Sequence, residues 1–473
     1  MRVLLINPPM DITSPPRFIS FGIAYITQEI KSGGYDAEIL DIDGHRYSKS
    51  EVSEFIKNAS FDVVAIGGLV TIYPYLSWLV PEIRRLRPGI EIILGGGIAS
   101  SMKEKCFERF DIDYEIIGEG EITIIELLGV LKENRDFSSV KGIGYRSNGK
   151  VVFTDPRSLM PSLDKVPQMD DSLFPMERLL ENSYRVMQVH TQRGCPYQCG
   201  FCFNCYRVVS NKVRYRPVGN VIDEIESLND KYDVQLFALS GELVMMSKEW
   251  IIEFCKEVLR RKLKIKYRVT SRATTVDEER LSWLKRSGCD MMSLGLESGS
   301  NKILKLMKKG TTVEQGRKAV VLAVKYIPNL EISMMMGYLE ENEETLKESV
   351  SFFKEIGVKP IMFLATPFPG TEIYREAIRK GRIKDEEEYL MKLDDISIFD
   401  LSTLLVNLTD MPDDVARSNI RSAISEIENY YFYRDLWTLR LFRRGLSSIK
   451  KIGFRDYIIY TYNKLENHFE SKQ

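Results

Sequence analysis

Two runs of strand–helix alternation, separated by a proline-rich stretch, leave this chain few folds to choose from. In the first 135 residues, RVLLIN, AEILD, VVAIGG, EIILGGG and YEIIG are short apolar segments, each closed by a turn signal, and they read as strands. GIAYITQEIKSGG, EVSEFIKNA, LSWLVPEIRRLRP and SMKEKCFERF lie between them with helical periodicity. Strands that alternate with helices build a parallel sheet covered on both faces. A second series starts at Tyr184, with RVMQVHTQ, VQLFALS, IKYRVTS, MMSLGLE, EISMMM and PIMFLA as its strands. Six such units predict a parallel barrel or part of one, with chemistry at the carboxyl ends of the strands.

The expected fold class is α/β: an N-terminal doubly wound parallel sheet, a partial (β/α)6 barrel and a C-terminal helical region. The expected division is 1–135 for the first sheet, 136–183 for a linker, 184–385 for the barrel and 386–473 for the helices. Within the linker, GIGYRSNGKVVFTDP reads as a small hairpin and SLMPSLDKVPQMDDSLFP as extended chain.

Composition narrows the class further. The chain has 473 residues, 44% of them hydrophobic and 28% charged, enough apolar side chains for two real cores. A net charge of −1 offers no global attraction to nucleic acid. The sequence opens directly on a strand pattern, without a signal peptide, and no apolar stretch reaches the ~20 residues of a membrane span. The expected location is cytoplasmic and reducing, where clustered cysteines bind metal or do redox chemistry more often than they form disulfides.

Four of the seven cysteines fall within RGCPYQCGFCFNC, at the end of the first strand of the second series. Cys195, Cys199 and Cys202 are spaced C-x3-C-x2-C. Thiolates suit zinc or iron–sulfur clusters. A closed zinc site wants four ligands, and Cys205 could supply the fourth. Three bunched thiolates would instead leave one corner of a 4Fe–4S cube open to a further ligand. Gly194, Pro196 and Gly200 permit a tight loop, and Phe201 can shield the metal from solvent. Cys106, Cys255 and Cys289 lie in or beside helical patterns and read as packing residues.

RGCPYQCGFCFN resembles the cluster loop of the radical S-adenosylmethionine (radical SAM) enzymes. The resemblance implies that SAM chelates the open iron and is split to methionine and a 5′-deoxyadenosyl radical. It implies further site residues. In ALSGELVMM, Ser240, Gly241 and Glu242 stand where the family holds the SAM amino group. Arg272, after the third strand, stands near the SAM carboxylate. Glu297 and Ser298, in SLGLESGSNKILKLMKKGTT, would contact its ribose or methionyl part. In MMMGYLEENEETL, Tyr338-Leu339-Glu340 replaces the usual proline–glycine pair.

The first 130 residues resemble the cobalamin-binding, Rossmann-like domain fused to one large radical SAM subgroup, on INPP, FGIAYITQEIKSGGYDAEILDID and IIGEGEITIIELL. The corrin would lie against loops containing Pro8, Gly68, Gly95, Gly96, Gly97, Gly118 and Glu119. The D-x-H-x-x-G histidine of cobalamin mutases is missing after the first strand. His45, in DGHRYS, follows the second strand instead and reads as a loop residue, so the lower face of cobalt would lack a histidine. A degenerate domain without cobalamin is the alternative.

The expected function is hydrogen abstraction from an unactivated carbon, followed by cobalamin-assisted methyl transfer or, alternatively, by ring or carbon–carbon bond formation. A corrinoid- or metal-binding sensor is the non-catalytic alternative. The expected partners are a small-molecule or lipid-like substrate and a reducing donor of flavodoxin or ferredoxin type, with no nucleic acid. Residues 430–465 mix aromatics with Arg434, Arg440, Arg443, Arg444, Lys450 and Lys451, a pattern suited either to a peripheral membrane contact or to helices that pack over the barrel.

Overall fold

The computed structural model describes residues 1–10, 14–133, 135–203, 212–393 and 404–437. Both expected sheets are present. The first contains β1 (Arg2–Asn7), β2 (Asp36–Asp41), β3 (Val63–Gly68), β4 (Glu91–Gly95) and β5 (Tyr114–Ile116), parallel and in the order β2-β1-β3-β4-β5. Five of the six residues of β1 are buried, because helices cover both faces of a central parallel strand. The chain leaves β1 toward β2 and returns on the other side as β3. That reversal opens a crevice beyond the carboxyl ends of β1 and β3, where open sheets of this kind bind ligands.

The hairpin expected inside the linker belongs instead to the first sheet. Its strands, β6 (Ile143–Ser147) and β7 (Lys150–Phe153), continue the sheet antiparallel beyond β5, with Ile143 opposite Ile116 and Tyr145 opposite Tyr114. β5 would otherwise leave an edge of unpaired backbone groups, and the hairpin satisfies them. Phe153 meets Phe107 edge-on at 6.3 Å and fixes the hairpin to the helical layer.

The second sheet contains β8 (Val186–His190). A short antiparallel pair follows, β9 (Gln192–Arg193) with β10 (Arg214–Tyr215). The other strands of the second sheet are β11 (Leu236–Ser240), β12 (Tyr267–Arg272), β13 (Cys289–Glu297), β14 (Asn329–Met336) and β15 (Pro360–Leu364). All six of its strands are parallel, in the order β15-β14-β13-β12-β11-β8, so the sheet is a partial barrel. The β9–β10 pair, with Arg193 opposite Arg214, closes the base of the loop that carries the cysteines.

The two halves share a core. Tyr25, on helix Phe21–Ser32 of the first half, is 1% exposed and packs in one apolar cluster with Met187, Val189 and Val218 of the second. The C-terminal helix Asp413–Trp437 packs on helix Glu343–Glu355 through Ile420, Ile427 and Tyr431. The Tyr431 hydroxyl donates to the Val358 carbonyl at 2.8 Å and Arg434 donates to the Gly357 carbonyl at 2.7 Å. Both residues therefore serve the packing of this helix. Arg440, Arg443, Arg444, Lys450 and Lys451 lie outside the described residues. Among the described residues, no helix is long and apolar enough to cross a membrane.

Candidate active site

The cysteine loop is tied down from several directions. Gly194 adopts φ +93°, and a Cβ there would fall 2.1 Å from the Lys212 carbonyl, so only glycine fits. Its N–H donates to the Glu242 carboxylate at 2.9 Å. The Gly200 N–H donates to the Met307 carbonyl at 2.9 Å, and the Cys202 N–H to the Cys199 carbonyl at 3.1 Å. Cys199 is buried, while Cys195 and Cys202 are half-buried. Phe201 packs against the first core cluster, 6.4 Å from the ring of Tyr338. Among the described residues, no group of three or more His, Cys, Asp or Glu side chains converges on a position for a single ion. Thiols of one soft type on one loop suit a cluster, in which each iron takes one thiolate. Cys205 lies outside the described residues.

The SAM-binding residues expected from the sequence divide into two groups. Ser240, Gly241 and Glu242 end β11 directly beside the cysteine loop. A Cβ on Gly241 would meet the Gln192 side chain at 2.5 Å, so glycine permits this close approach. Glu242 reaches solvent, yet protein surrounds it, and that partial burial raises its carboxyl above the usual range. The Arg272 guanidinium stacks 3.7 Å above the ring of Tyr197, with one nitrogen 3.8 Å from the Cys199 sulfur. Arg272 is 4% exposed, and among the described residues its Nε and second Nη have no hydrogen-bond partner. A buried cation with unfilled donors beside a thiol loop fits a missing anion, either cluster sulfide or carboxylate.

Glu297 and Ser298 are committed elsewhere. Glu297, at φ +71°, accepts from Lys309 at 2.8 Å in a pair only 9% exposed on each side. The Ser298 hydroxyl meets the Ser349 hydroxyl at 2.9 Å and accepts from the Ser300 N–H at 3.1 Å. Ser298 thus holds a turn against helix Glu343–Glu355.

The glycines of the first sheet do gather. A cavity of about 280 Å³ lies beyond the ends of β1, β3, β4 and β5. Gly68, Gly95, Gly96, Gly97, Gly118 and Glu119 all line it, with Leu5, Ile23 and Ile124 among its apolar walls. Gly96 sits at φ +80°, and a Cβ there would lie 2.9 Å from the Gly68 carbonyl. A Cβ on Gly97 would strike Phe203 at 2.8 Å. Pro8 does not line the cavity, although its neighbours Asn7 and Met10 do. His45 is also absent from the lining: it follows β2, stacks on Tyr47 at 5.0 Å and hydrogen-bonds the Asp41 carbonyl.

A second cavity, of about 310 Å³, adjoins the cysteine loop and is lined by Phe21, Tyr25, His190, Gln192, Gly241 and Glu242. Arg193 lines both cavities. Its guanidinium pairs with Glu119 at 3.1 Å and Glu121 at 2.6 Å and lies 5.6 Å from the Tyr25 ring. Arg214 adds a 2.9 Å pair to Glu119, and these arginines are 5% exposed. Burial opposes ionisation of Glu119, but the Arg214 hydrogen bond and the Arg193 charge outweigh it and hold the carboxyl low. His190 is held neutral, first by burial and then by the charges of Arg193 and Arg216.

Sequence reasoning missed Tyr25, His190, Arg193, Arg214 and Lys309. One signal was present: the arginine immediately before Gly194-Cys195.

A thiol loop at the mouth of a partial parallel barrel thus lies beside a glycine-lined crevice in an open sheet. Residues 10–128 match the B12 binding domain and residues 189–353 the Radical SAM superfamily. The chain belongs to the cobalamin-binding-domain radical SAM enzymes, and its cofactors are a 4Fe–4S cluster, SAM and cobalamin. It is 28% identical over 389 residues to an uncharacterized methyltransferase of Pyrococcus horikoshii, covering 80% of this chain and 83% of that protein. It is also 28% identical over 409 residues to the anaerobic magnesium-protoporphyrin IX monomethyl ester cyclase of Rubrivivax gelatinosus, covering 82% of this chain and 72% of that protein. Its fold is shared with TsrM of Kitasatospora setae, a radical SAM methyltransferase solved with cobalamin and its iron–sulfur cluster. The TM-score is 0.67 at 21% identity, over 81% of this chain and 78% of that one.

Proposed function

We propose that this enzyme methylates a carbon of a small, largely apolar substrate held between the two cavities. The observation that carries the reading is the shared wall: Arg193 lines both the glycine crevice and the cavity beside Glu242. When bound, the cluster supplies the electron that splits SAM, and cobalamin supplies a methyl carrier.

In this reading Cys195, Cys199 and Cys202 bind the cluster, and Phe201 shields it. The Glu242 carboxylate, beside Ser240 and Gly241, accepts hydrogen bonds from the SAM ammonium. The unfilled Nε and Nη of Arg272 donate to its carboxylate or to cluster sulfide. Glu297 acts through its pair with Lys309, which shapes the wall beside Phe201, where the Lys309 nitrogen lies 5.7 Å from the ring. The first sheet, with its hairpin, holds cobalamin through bare backbone at Gly68, Gly95, Gly96, Gly97 and Gly118. Residues 184–385 hold the cluster and SAM, and helix Asp413–Trp437 packs on the barrel helix Glu343–Glu355. Phe21 offers an aromatic face on the substrate side, which favours an apolar group there.

Full-length protein, reconstituted without oxygen and given SAM and dithionite with or without hydroxocobalamin, tests this by mass spectrometry. S-adenosylhomocysteine formed together with 5′-deoxyadenosine, and only with hydroxocobalamin, is the expected result. Deoxyadenosine alone under both conditions would favour the second reading, cyclisation or carbon–carbon bond formation, which the likeness to a cyclase supports. A lipid substrate delivered at a membrane predicts that the full chain floats with anionic vesicles and that a chain ending at residue 429 does not. Equal flotation of the two sinks that part.

A further inference from the structure

Enzymes of this class take their electron from an external donor, and electron transfer falls steeply with distance. The donor must therefore dock where the protein shell behind the cysteine loop is thin. Gly200, between Cys199 and Cys202, shows which surface elements lie directly behind the loop. Its N–H donates to the Met307 carbonyl at 2.9 Å, and its carbonyl accepts from the N–H groups of Glu372 and Ile373 at 3.1 and 3.2 Å. The loop thus rests directly on the end of helix Asn301–Leu306 and the start of helix Glu372–Arg379. The inner faces of these helices meet: Ile303, Met307, Ile373 and Ala377 are buried in one apolar cluster, and Phe201 packs against it.

Their outer faces are basic. Lys302, Lys305 and Lys308 on the first segment and Arg375, Arg379 and Lys380 on the second are all exposed. Within residues 301–308 and 372–380 these six cations stand with two carboxylates, Glu372 and Glu376, while the acidic run 386–388, which meets the second helix at Tyr374, is itself paired with Lys105, Arg109 and Lys392. The two carboxylates are each paired within the patch, Glu372 with Lys308 at 2.6 Å and Glu376 with Arg379 at 2.5 Å. In a chain of net charge −1, this is a local excess of one sign over the loop that carries the metal. Such a patch steers an oppositely charged partner and sets its orientation, while a weak, salt-sensitive contact suits a carrier that must leave after one electron.

We propose that the face formed by helices Asn301–Leu306 and Glu372–Arg379 docks a small acidic electron-transfer protein of flavodoxin or ferredoxin type. One electron passes from the reduced carrier to the cluster, and no proton or group moves with it. The proposal rests on the assignment of Cys195, Cys199 and Cys202 as cluster ligands.

The test uses reconstituted full-length enzyme and follows 5′-deoxyadenosine formation, with either a reduced acidic flavodoxin or dithionite as the electron source. K302E/K305E/K380E reverses the patch. K262E/K264E/K266E reverses three exposed lysines at the opposite, amino-terminal end of β12 and serves as the control. The expected result is at least a tenfold fall in the flavodoxin-supported rate of the patch variant, with the dithionite-supported rate within twofold of the parent. Its flavodoxin KM rises, its kcat at saturating flavodoxin holds, and its salt dependence flattens. The control keeps both rates. A patch variant that keeps its flavodoxin-supported rate overturns the proposal, as does one that loses both rates or a control that falls equally. A parent enzyme that fails to cleave SAM even with dithionite overturns the cluster assignment itself, a failure distinct from loss of the flavodoxin arm alone.

Discussion

The crevice of the first sheet and the mouth of the second, which adjoin at Arg193, are built from different materials. Most of the crevice of the first sheet is backbone and hydrocarbon, with glycines at the strand ends and leucine and isoleucine behind them; its charged groups, Glu119 and Glu121, are paired with Arg193. The mouth of the second sheet is built from thiols, charged groups and hydrogen bonds: Cys199, Glu242, Arg272, and the Lys309–Glu297 pair. A large flat cofactor needs room and surface contact, which bare backbone provides. A charged cluster and a zwitterion need ligands and counter-charges, which only side chains supply. The two halves should therefore respond differently to the same kind of substitution.

The largest effect is expected from Cys199→Ala. Loss of one thiolate should abolish iron retention and lower reductant-driven SAM cleavage by more than about 10³-fold, a loss of over ~4 kcal/mol. Hydroxocobalamin binding, followed by its visible absorption, should remain within twofold of the parent. If cobalamin binding collapses as well, the two halves are not separable.

Arg193→Met attacks the seam. It leaves Glu121 and half of Glu119 buried without their cation, at a cost of about 3–5 kcal/mol in chemical unfolding. Unlike Cys199→Ala, it should weaken both SAM and cobalamin binding. Adding Glu121→Gln to Arg193→Met should restore part of the stability, because the amide needs no counter-charge. An Arg193→Met that weakens only one cofactor would show that this arginine belongs to one cavity.

Glu115 is the exception in the first half. It is fully buried on β5, and among the described residues no cation pairs with it, only the Cys106 thiol reaching its carboxyl. Burial pushes its carboxyl up to about 8. Because the folded pKa is the higher one, the native state holds a proton that the unfolded chain releases. Stability should fall as pH rises from 4.5 to about 8, by at most about 1.4 kcal/mol per pH unit, and then level off. Glu115→Gln should remove that slope in urea titrations. A variant that keeps it would assign the pH dependence to another group, such as Glu341, which burial raises to about 7.

Gly95→Val probes the crevice by volume alone. Gly95 has φ −137°, which valine tolerates, and a Cβ there meets nothing nearer than the Ile66 carbonyl at 4.0 Å. The side chain should enter the cavity without strain. Weaker hydroxocobalamin binding by about 10- to 100-fold, or ~1.4–2.7 kcal/mol, is expected with an unchanged melting temperature and iron content. Unchanged cobalamin affinity would remove this crevice from the corrin site.

This contrast also explains what could be read before the fold was known. Strand runs such as VVAIGG and EIILGGG carry their own period and turn signals, so both sheets and the glycine crevice were legible. The C-x3-C-x2-C loop was legible because its ligands are neighbours in sequence. The hairpin at β6–β7 was seen, but not its attachment to β5, because pairing at a sheet edge is a tertiary event. Ser298 stands at a strand end in a segment that resembles the family's, and the sequence does not show that its hydroxyl also meets Ser349, 51 residues away. Arg193–Glu119 and Arg214–Glu119 span 74 and 95 residues, and no local pattern announces pairs of that length.

The smallest effect is expected where the sequence looked most tempting. His45 stands in a D-x-H-x-x-S segment close to the cobalt-ligating motif of the mutases. Here the motif follows β2, whereas the crevice opens between β1 and β3. The ring is also held in place: its Nδ1 lies 3.1 Å from the Asp41 carbonyl, and it stacks within 7° of parallel on Tyr47. Its backbone carbonyl accepts from Arg178 at 2.7 Å, so this segment is braced against the barrel half rather than turned toward the glycines. A histidine that ligated cobalt would alter both the affinity for cobalamin and the absorption and paramagnetic spectra of the bound cofactor. His45→Ala should change neither, with hydroxocobalamin affinity within about twofold, under ~0.4 kcal/mol. A shift in those spectra on this one substitution would mean that the segment after β2 swings into the crevice when the corrin arrives, and that the first half holds its cofactor by a bond as well as by shape.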